Sequence, residues 1–287
     1  MHLCAVLFVV GSIVTNVLLL IWLRVLRVPV PALVTLNYFI CVGIAAIVSP
    51  PSWAQIRQVA PLALGIIGIL GILFISVFAL TGRAARDIGV GLTGMLAKLS
   101  VVLPVGFSAL FLGEALSPAQ GVGLIAGIGA IIAIHMPYLQ GGRWKTLLHA
   151  AQLGLLLWLG NGIIDILFKA YQPQWKPLDT LHIPLLIMSV AGTLGVLWHV
   201  LRGEGALLLR SRLWGAAFLL GSTNLLSIFF YLKALATFPA VQFFLWNNLG
   251  IVLLSGVVGV IAFREKLTKA VVVGYALGVA AIFLVSR

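Results

Sequence analysis

Lys98 lies well inside an apolar run, residues 88–112, that is long enough to cross a bilayer. A lysine ammonium at that depth costs roughly 2.5–3.5 kcal/mol on insertion scales, so it needs a wet cavity or a partner charge to face. The plain structural alternative, snorkelling to an interface or pairing with a helix-end carbonyl, is disfavoured by its central position. A cation there can hold the carboxylate or phosphate of a solute, or change protonation during a working cycle. Six residues on, Pro104 removes a backbone donor and is expected to kink the helix beside the charge. Of its polar neighbours, Thr93 has a spacing that can share the face of Lys98, whereas Ser100 does not.

Asp165 is the acidic residue placed well inside another apolar run. Asn161, Asp165 and Lys169 follow at i, i+4 and i+8, one continuous polar face. Two readings stand side by side: an Asp165–Lys169 pair along the helix, or a counter-charge for Lys98 that can also carry a proton. Asn224, Ser227 and Tyr231 form a further stripe at i, i+3 and i+7, and Gln242, Trp246 and Asn247 fall near the level of Lys98 in the next run. Asn16, Asn37 and Tyr38 add polar groups from the first two runs. Singly, such amides and hydroxyls often only join helices, contributing roughly 0.6–2 kcal/mol each. As a set converging from several runs, they are expected to line a solute cavity with Lys98 and Asp165.

Glu114 and Glu265 sit at tight hairpins, where Ser117 and Thr268 can cap the next helix and Pro118 fits its first turn. A structural role in closing those hairpins is expected. His135, His149 and His199 have no mutual spacing, and Cys4 and Cys41 stand apart in apolar runs, so no metal, cofactor or disulfide is expected.

These residues must be positioned by membrane helices. The 287-residue chain is 62% hydrophobic and 8% charged, too few charges for an ordinary solvated surface. Ten apolar runs, at 3–22, 30–48, 61–80, 88–112, 118–136, 147–169, 181–201, 213–236, 239–263 and 268–286, predict an all-α membrane protein of ten transmembrane helices. The alternating ten-residue segments of a barrel are lacking. The net charge of +12 is scattered at run ends rather than gathered in a basic domain, so no nucleic-acid partner is expected. The first run lacks a basic leader and cleavage site and is read as a retained helix. The segment at Trp53 is an expected interfacial turn.

An internal repeat divides the chain. An offset of 151 aligns Glu114 with Glu265, Ser117 with Thr268, Gly123 with Gly274 and Gly127 with Gly278; an offset of 145 aligns Asn16 with Asn161 and Arg24 with Lys169. Residues 1–140 and 141–287 therefore read as two five-helix repeats within one membrane domain. An odd number of spans forces the two repeats to face opposite ways, the inverted plan that puts a solute site near the midplane between them.

The phrase LAKLSVVLPVGFSALFLGEALSP at 96–118, its echo FREKLTKAVVVGYALGVAAI at 263–282 and the two sets of five spans resemble the drug/metabolite transporter superfamily, in its EamA-like permease branch. The resemblance implies a secondary transporter of a small organic metabolite in a bacterial inner membrane. It leaves the solute open, because that superfamily moves amino acids, sugars, nucleotides, cations and drugs. There is no Gly-rich phosphate loop and no nucleophile–His–acid set, so the chain is not expected to be an enzyme, and its partners are the solute and the bilayer. The alternatives are a membrane-embedded lipid-processing enzyme or a structural membrane subunit. Gly123-x-x-x-Gly127 can pack within the chain or between subunits, leaving a homo-oligomer open. Such permeases usually keep both termini in the cytoplasm. Here the loops on the side of the termini carry five Lys or Arg (Arg57, Lys169, Lys176, Lys233, Arg287). The opposite loops carry twelve (Arg24, Arg27, Arg83, Arg86, Arg143, Lys145, Arg202, Arg210, Arg212, Arg264, Lys266, Lys269). The positive-inside rule then puts the termini outside.

Overall fold

Proline, glycine and short polar caps set the helix boundaries. In the computed structural model of the chain, the backbone is described outside residues 1, 49–52, 112–114, 141–143, 176–177, 179–181, 239 and 287. Side chains are described outside these and outside 2–5, 53, 108, 134–140, 144–147, 169, 172–173 and 240–242. The helices are α1 (His2–Val25), α2 (Val30–Val48), α3 (Trp53–Gln58), α4 (Pro61–Asp87), α5 (Val90–Leu99), α6 (Val102–Phe111), α7 (Pro118–Gln140), α8 (Trp144–Tyr171), α9 (His182–Leu201), α10 (Ser211–Thr237), α11 (Ala240–Phe263) and α12 (Lys269–Val285).

Pro61 and Pro118 open α4 and α7, where the missing N–H leaves no intrahelical bond unmade. Ser117 Oγ accepts from the Gln120 amide at 3.2 Å while Gln120 Oε1 accepts from the Ser117 amide at 3.0 Å, a reciprocal cap. Thr268 Oγ1 accepts from the Val271 amide at 3.3 Å. The expected capping roles of Ser117 and Thr268 are thus present. Gly89, at φ +107°, makes the two-residue turn between α4 and α5 that a side chain would strain.

Among the described residues, eight helical stretches are long and apolar enough to cross a membrane: α1, α2, α4, the α5–α6 stretch, α8, α9, α10 and α11. Two shorter apolar helical segments, 118–133 and 269–285, accompany them. Large apolar side chains such as Ile69, Ile72, Ile125, Ile132, Val257 and Ile261 are exposed around the outside, a surface that lipid rather than water satisfies. The chain is an integral membrane protein. The expected interfacial turn at Trp53 is the short helix α3.

The principal packing pairs are α7 with α12, α1 with α10, α2 with α10, α5 with α11, α2 with α9, α4 with α9 and α4 with α8. Small residues allow the closest approaches. A Cβ on Gly123 would meet the Val285 backbone at 2.9 Å, and one on Gly127 would meet Val102 at 2.7 Å. Gly123-x-x-x-Gly127 therefore packs within the chain.

Candidate functional site

The span containing Lys98 is broken. α5 ends at Leu99 and α6 starts at Val102, one turn ahead of Pro104. The cause is local: Pro104 has no N–H to offer the Ser100 carbonyl, which instead accepts from the Leu103 amide at 2.9 Å, and the Lys98 carbonyl accepts from the Val101 amide at 3.4 Å. Other carbonyls at the break are met by side chains. Ala97 O accepts from Ser100 Oγ at 2.8 Å, and Leu99 O accepts from Trp158 Nε1 of α8 at 3.1 Å. The kink expected at Pro104 is thus a helix break that places Lys98 in the last turn of one half-helix, where the helix dipole favours a cation.

Asp165 of α8 meets this break. Its Oδ2 lies 3.3 Å from Ser100 Oγ. That hydroxyl has one proton for two acceptors, so its shorter bond to Ala97 O leaves the carboxylate only weakly held. Lys98 and Asp165 act on each other electrostatically, yet among the described residues they form no ion pair in contact, and Lys98 makes no hydrogen bond. Lys98 is half-buried and Asp165 is exposed. Tyr231 of α10, half-buried and edge-on to Phe243 at 5.0 Å between ring centres, lies within the field of Asp165. Lys98 of α5, Ser100 at the break, Asp165 of α8 and Tyr231 of α10 are thus brought near one another. The helix break, not helical periodicity, selects the neighbour: Ser100 reaches Asp165, whereas Thr93 is fully buried and donates back to Gly89 O at 2.6 Å.

Most of the other polar residues expected at the cavity are buried at helix contacts instead. Asn16 Nδ2 donates to Ser227 Oγ at 2.8 Å, Asn224 Nδ2 to Asn37 Oδ1 at 3.3 Å, and Tyr38 Oη to Phe74 O at 2.9 Å. Asn247 Oδ1 accepts from Ser12 Oγ at 2.9 Å. Asn37, Tyr38, Asn224, Ser227 and Asn247 are all buried. These bonds tie α1 to α10 and α11, and α2 to α10 and α4. Asn161, half-buried, donates to Leu157 O at 2.8 Å within its own helix. Trp246 is exposed and packs edge-on against Phe238 at 5.3 Å. The side chains of Gln242, Lys169, His135 and Cys4, and the whole of Glu114, lie outside the described residues.

Glu265 also joins its hairpin to α1 and α5. Its Oε1 accepts from Arg24 Nη1 at 2.6 Å and from the Val90 amide at 2.7 Å, and its Oε2 accepts from the Gly91 amide at 3.2 Å. Arg86, read from the sequence only as a loop charge, donates from Nε to Leu23 O at 2.8 Å and from Nη2 to Leu26 O at 2.6 Å and Val28 O at 2.9 Å. His149 meets Asp87 at 2.9 Å and His199 meets Glu204 at 3.2 Å, separate pairs at helix ends. No group of three potential metal ligands occurs among the described residues.

No family model matches the chain. An uncharacterized protein of Haemophilus influenzae is 27% identical over 225 residues, which span 77% of this chain and 73% of that protein. A crystal structure described only as that of a protein superposes with a TM-score of 0.62 at 21% identity, covering 100% of this chain and 99% of the other. That likeness shows a shared fold. The chain is a multi-span helical membrane protein distantly related to the Haemophilus influenzae protein.

Proposed function

We propose that the chain is a secondary transporter of the drug/metabolite type, EamA-like, moving a small organic metabolite by alternating access. The observation that carries the reading is a lysine at the break of an interrupted span, close to an exposed carboxylate on another helix with which it forms no contact ion pair. Interrupted helices near mid-membrane expose backbone and charge to a solute, a use that repays the cost of keeping them there.

The packing supports two inverted five-helix repeats. Exchanging α1 with α8, α2 with α9, α4 with α10, α5–α6 with α11 and α7 with α12 turns the α1–α10 pair into α8–α4, and α2–α10 into α9–α4. The pairs α7–α12, α5–α11 and α2–α9 map onto themselves. Asn16 and Asn161, aligned by the repeat, make the same bond to the carbonyl four residues back, at 2.9 and 2.8 Å.

Lys98 anchors an anionic group of the solute, and Asp165 with Tyr231 forms the opposite wall. Zwitterions and anions are favoured over simple cations. The test is counterflow into proteoliposomes preloaded in turn with α-amino acids, monocarboxylates and monoamines. Exchange of at least one solute bearing a carboxylate is expected; exchange of monoamines alone overturns Lys98 as an anion anchor, and exchange of none of the three overturns the transporter reading.

A further inference from the structure

The two ends of the bundle pack differently; the repeat counterparts of Glu265 and Arg24, which are Glu114 and the side chain of Lys169, lie outside the described residues. On the side opposite the termini, α1 packs on α4. Arg86 ties the last turn of α1 to α4, and Arg24 Nη1 reaches Ala85 O at 3.3 Å as well as Glu265. Glu265 adds the end of α11 and the first turn of α5, so four helices are joined at one point. Under the repeat, the matching pair at the other end is α8 with α10, and among the described residues these two have no substantial packing. Asp165, on the half of α8 nearer that end, is exposed, while its repeat counterpart, Leu20 of α1, is 7% exposed and packs beside Gly94 of α5.

The seat of Glu265 is specific. Arg264 turns the chain at φ +53°, a left-handed conformation that a residue with a Cβ adopts at a cost, and the Glu265 amide then donates to Gly259 O at 2.9 Å. A Cβ on Gly89 would lie 2.6 Å from the carboxyl carbon of Glu265, and one on Gly91 would lie 3.1 Å from its oxygen; a Cβ on Gly259 would also collide with it. Three glycines on two elements thus clear the space for one carboxylate. The Arg24 guanidinium lies 4.4 Å over the Phe263 ring, next to the same turn. Beside Glu265 a cavity of about 280 Å³, lined in part by Leu92, Val260 and Tyr275, gives the carboxylate room to leave. The half-helix whose first turn it holds, α5, ends at Lys98.

Resting on the transporter reading above, we infer that Glu265, seated on Arg24 and the first turn of α5, is the latch that keeps the end opposite the termini shut, and that its release opens that end to the site. Arg24 and Glu265 are positioning residues for α5 and Lys98. Release frees α5 from α1 and α11 on the closed side, so the half-helix carrying Lys98 can swing at the Ser100–Val101 break.

Cysteine labelling in nanodiscs tests this without any solute. In a background with Cys4 and Cys41 replaced by Ser, Leu20→Cys reports the closed end and Tyr231→Cys the open one. Glu265→Gln is expected to raise the maleimide reaction rate at Leu20→Cys at least tenfold and to lower that at Tyr231→Cys at least threefold. Arg24→Gln should act in the same directions, and Glu265→Asp, too short to span both partners, to a smaller extent. Glu265→Asp also keeps the test standing if the neutral variants do not fold. Rates that rise together show general loosening and overturn the latch, as do rates that fail to move in opposite directions. A reciprocal shift in a protein that exchanges no solute leaves the latch standing and removes the transporter reading; exchange without the shift removes the latch alone.

Discussion

Trp158→Phe removes one hydrogen bond at the helix break and leaves the ring nearly unchanged. The lost donor is the indole N–H that meets Leu99 O at 3.1 Å. Leu99 is fully buried, so water cannot replace it. Interhelical bonds in membrane proteins average about 0.6 kcal/mol and reach about 1.7, and an orphaned buried acceptor costs about 1–3 kcal/mol. The carbonyl is left without a partner, so the expected loss is at the upper end of the first range, about 1–2 kcal/mol. Reversible unfolding in mixed micelles with rising dodecyl sulfate measures it. Trp22→Phe is the matched control, because Trp22 Nε1 is buried and has no hydrogen-bond partner among the described residues. That replacement removes an unsatisfied polar atom and is expected to cost under about 0.5 kcal/mol or to stabilise. Equal losses in the two variants would refute the claim that Trp158 holds the break through its N–H.

Three further outcomes are expected. A C-terminal alkaline phosphatase fusion should be active and a C-terminal fluorescent-protein fusion dark, because the loops opposite the termini carry twelve Lys or Arg against five; the reverse pattern contradicts the orientation. Asn224→Ala with Ser227→Ala breaks two interhelical bonds, one buried and one part-buried, and should destabilise the fold by about 1–3 kcal/mol in the same unfolding assay; wild-type stability with lost transport would return these residues to the cavity wall. Gly91→Ala should cost about 1–3 kcal/mol, since its Cβ would lie 3.3 Å from the Gly256 backbone and 2.6 Å from Tyr275 Oη; an unchanged midpoint would show that α5 and α11 are not in close contact there.

The helices were legible in the sequence because hydropathy over some twenty residues needs no partner to be read. So was the helix interruption, since a lysine and a proline six apart in an apolar run are each costly alone. The pairing of Lys98 with Asp165 stood as one of two readings; the two form no contact ion pair, and the side chain of Lys169, on which the other reading depends, lies outside the described residues. The place of the break was not legible. It falls a turn ahead of Pro104, where the proline leaves the Ser100 carbonyl without its donor, and this turns Ser100 rather than Thr93 toward Asp165. Nor could a polar stripe such as Asn224 and Ser227 tell a cavity wall from a helix contact, because the deciding neighbours, Asn37 and Asn16, lie 187 and 211 residues away. Glu265 was hidden for the same reason: its hairpin position is local, but Arg24 is 241 residues distant. The repeat alignment did carry a hint, since it singled out both Arg24 and Glu265 without joining them.

The proposed transport depends most directly on Lys98, the proposed anchor of the solute. Counterflow of one carboxylate-bearing solute should be compared in proteoliposomes for the wild type, Lys98→Arg and Lys98→Met, with equal amounts of monodisperse protein. Lys98→Met keeps the length and removes the charge, and is predicted to lower transport at least tenfold, about 1.4 kcal/mol if binding alone changes. Lys98→Arg, which keeps the charge but not the shape, is predicted to fall between them. Normal counterflow by Lys98→Met would contradict the account and leave Lys98 a structural residue of the broken helix.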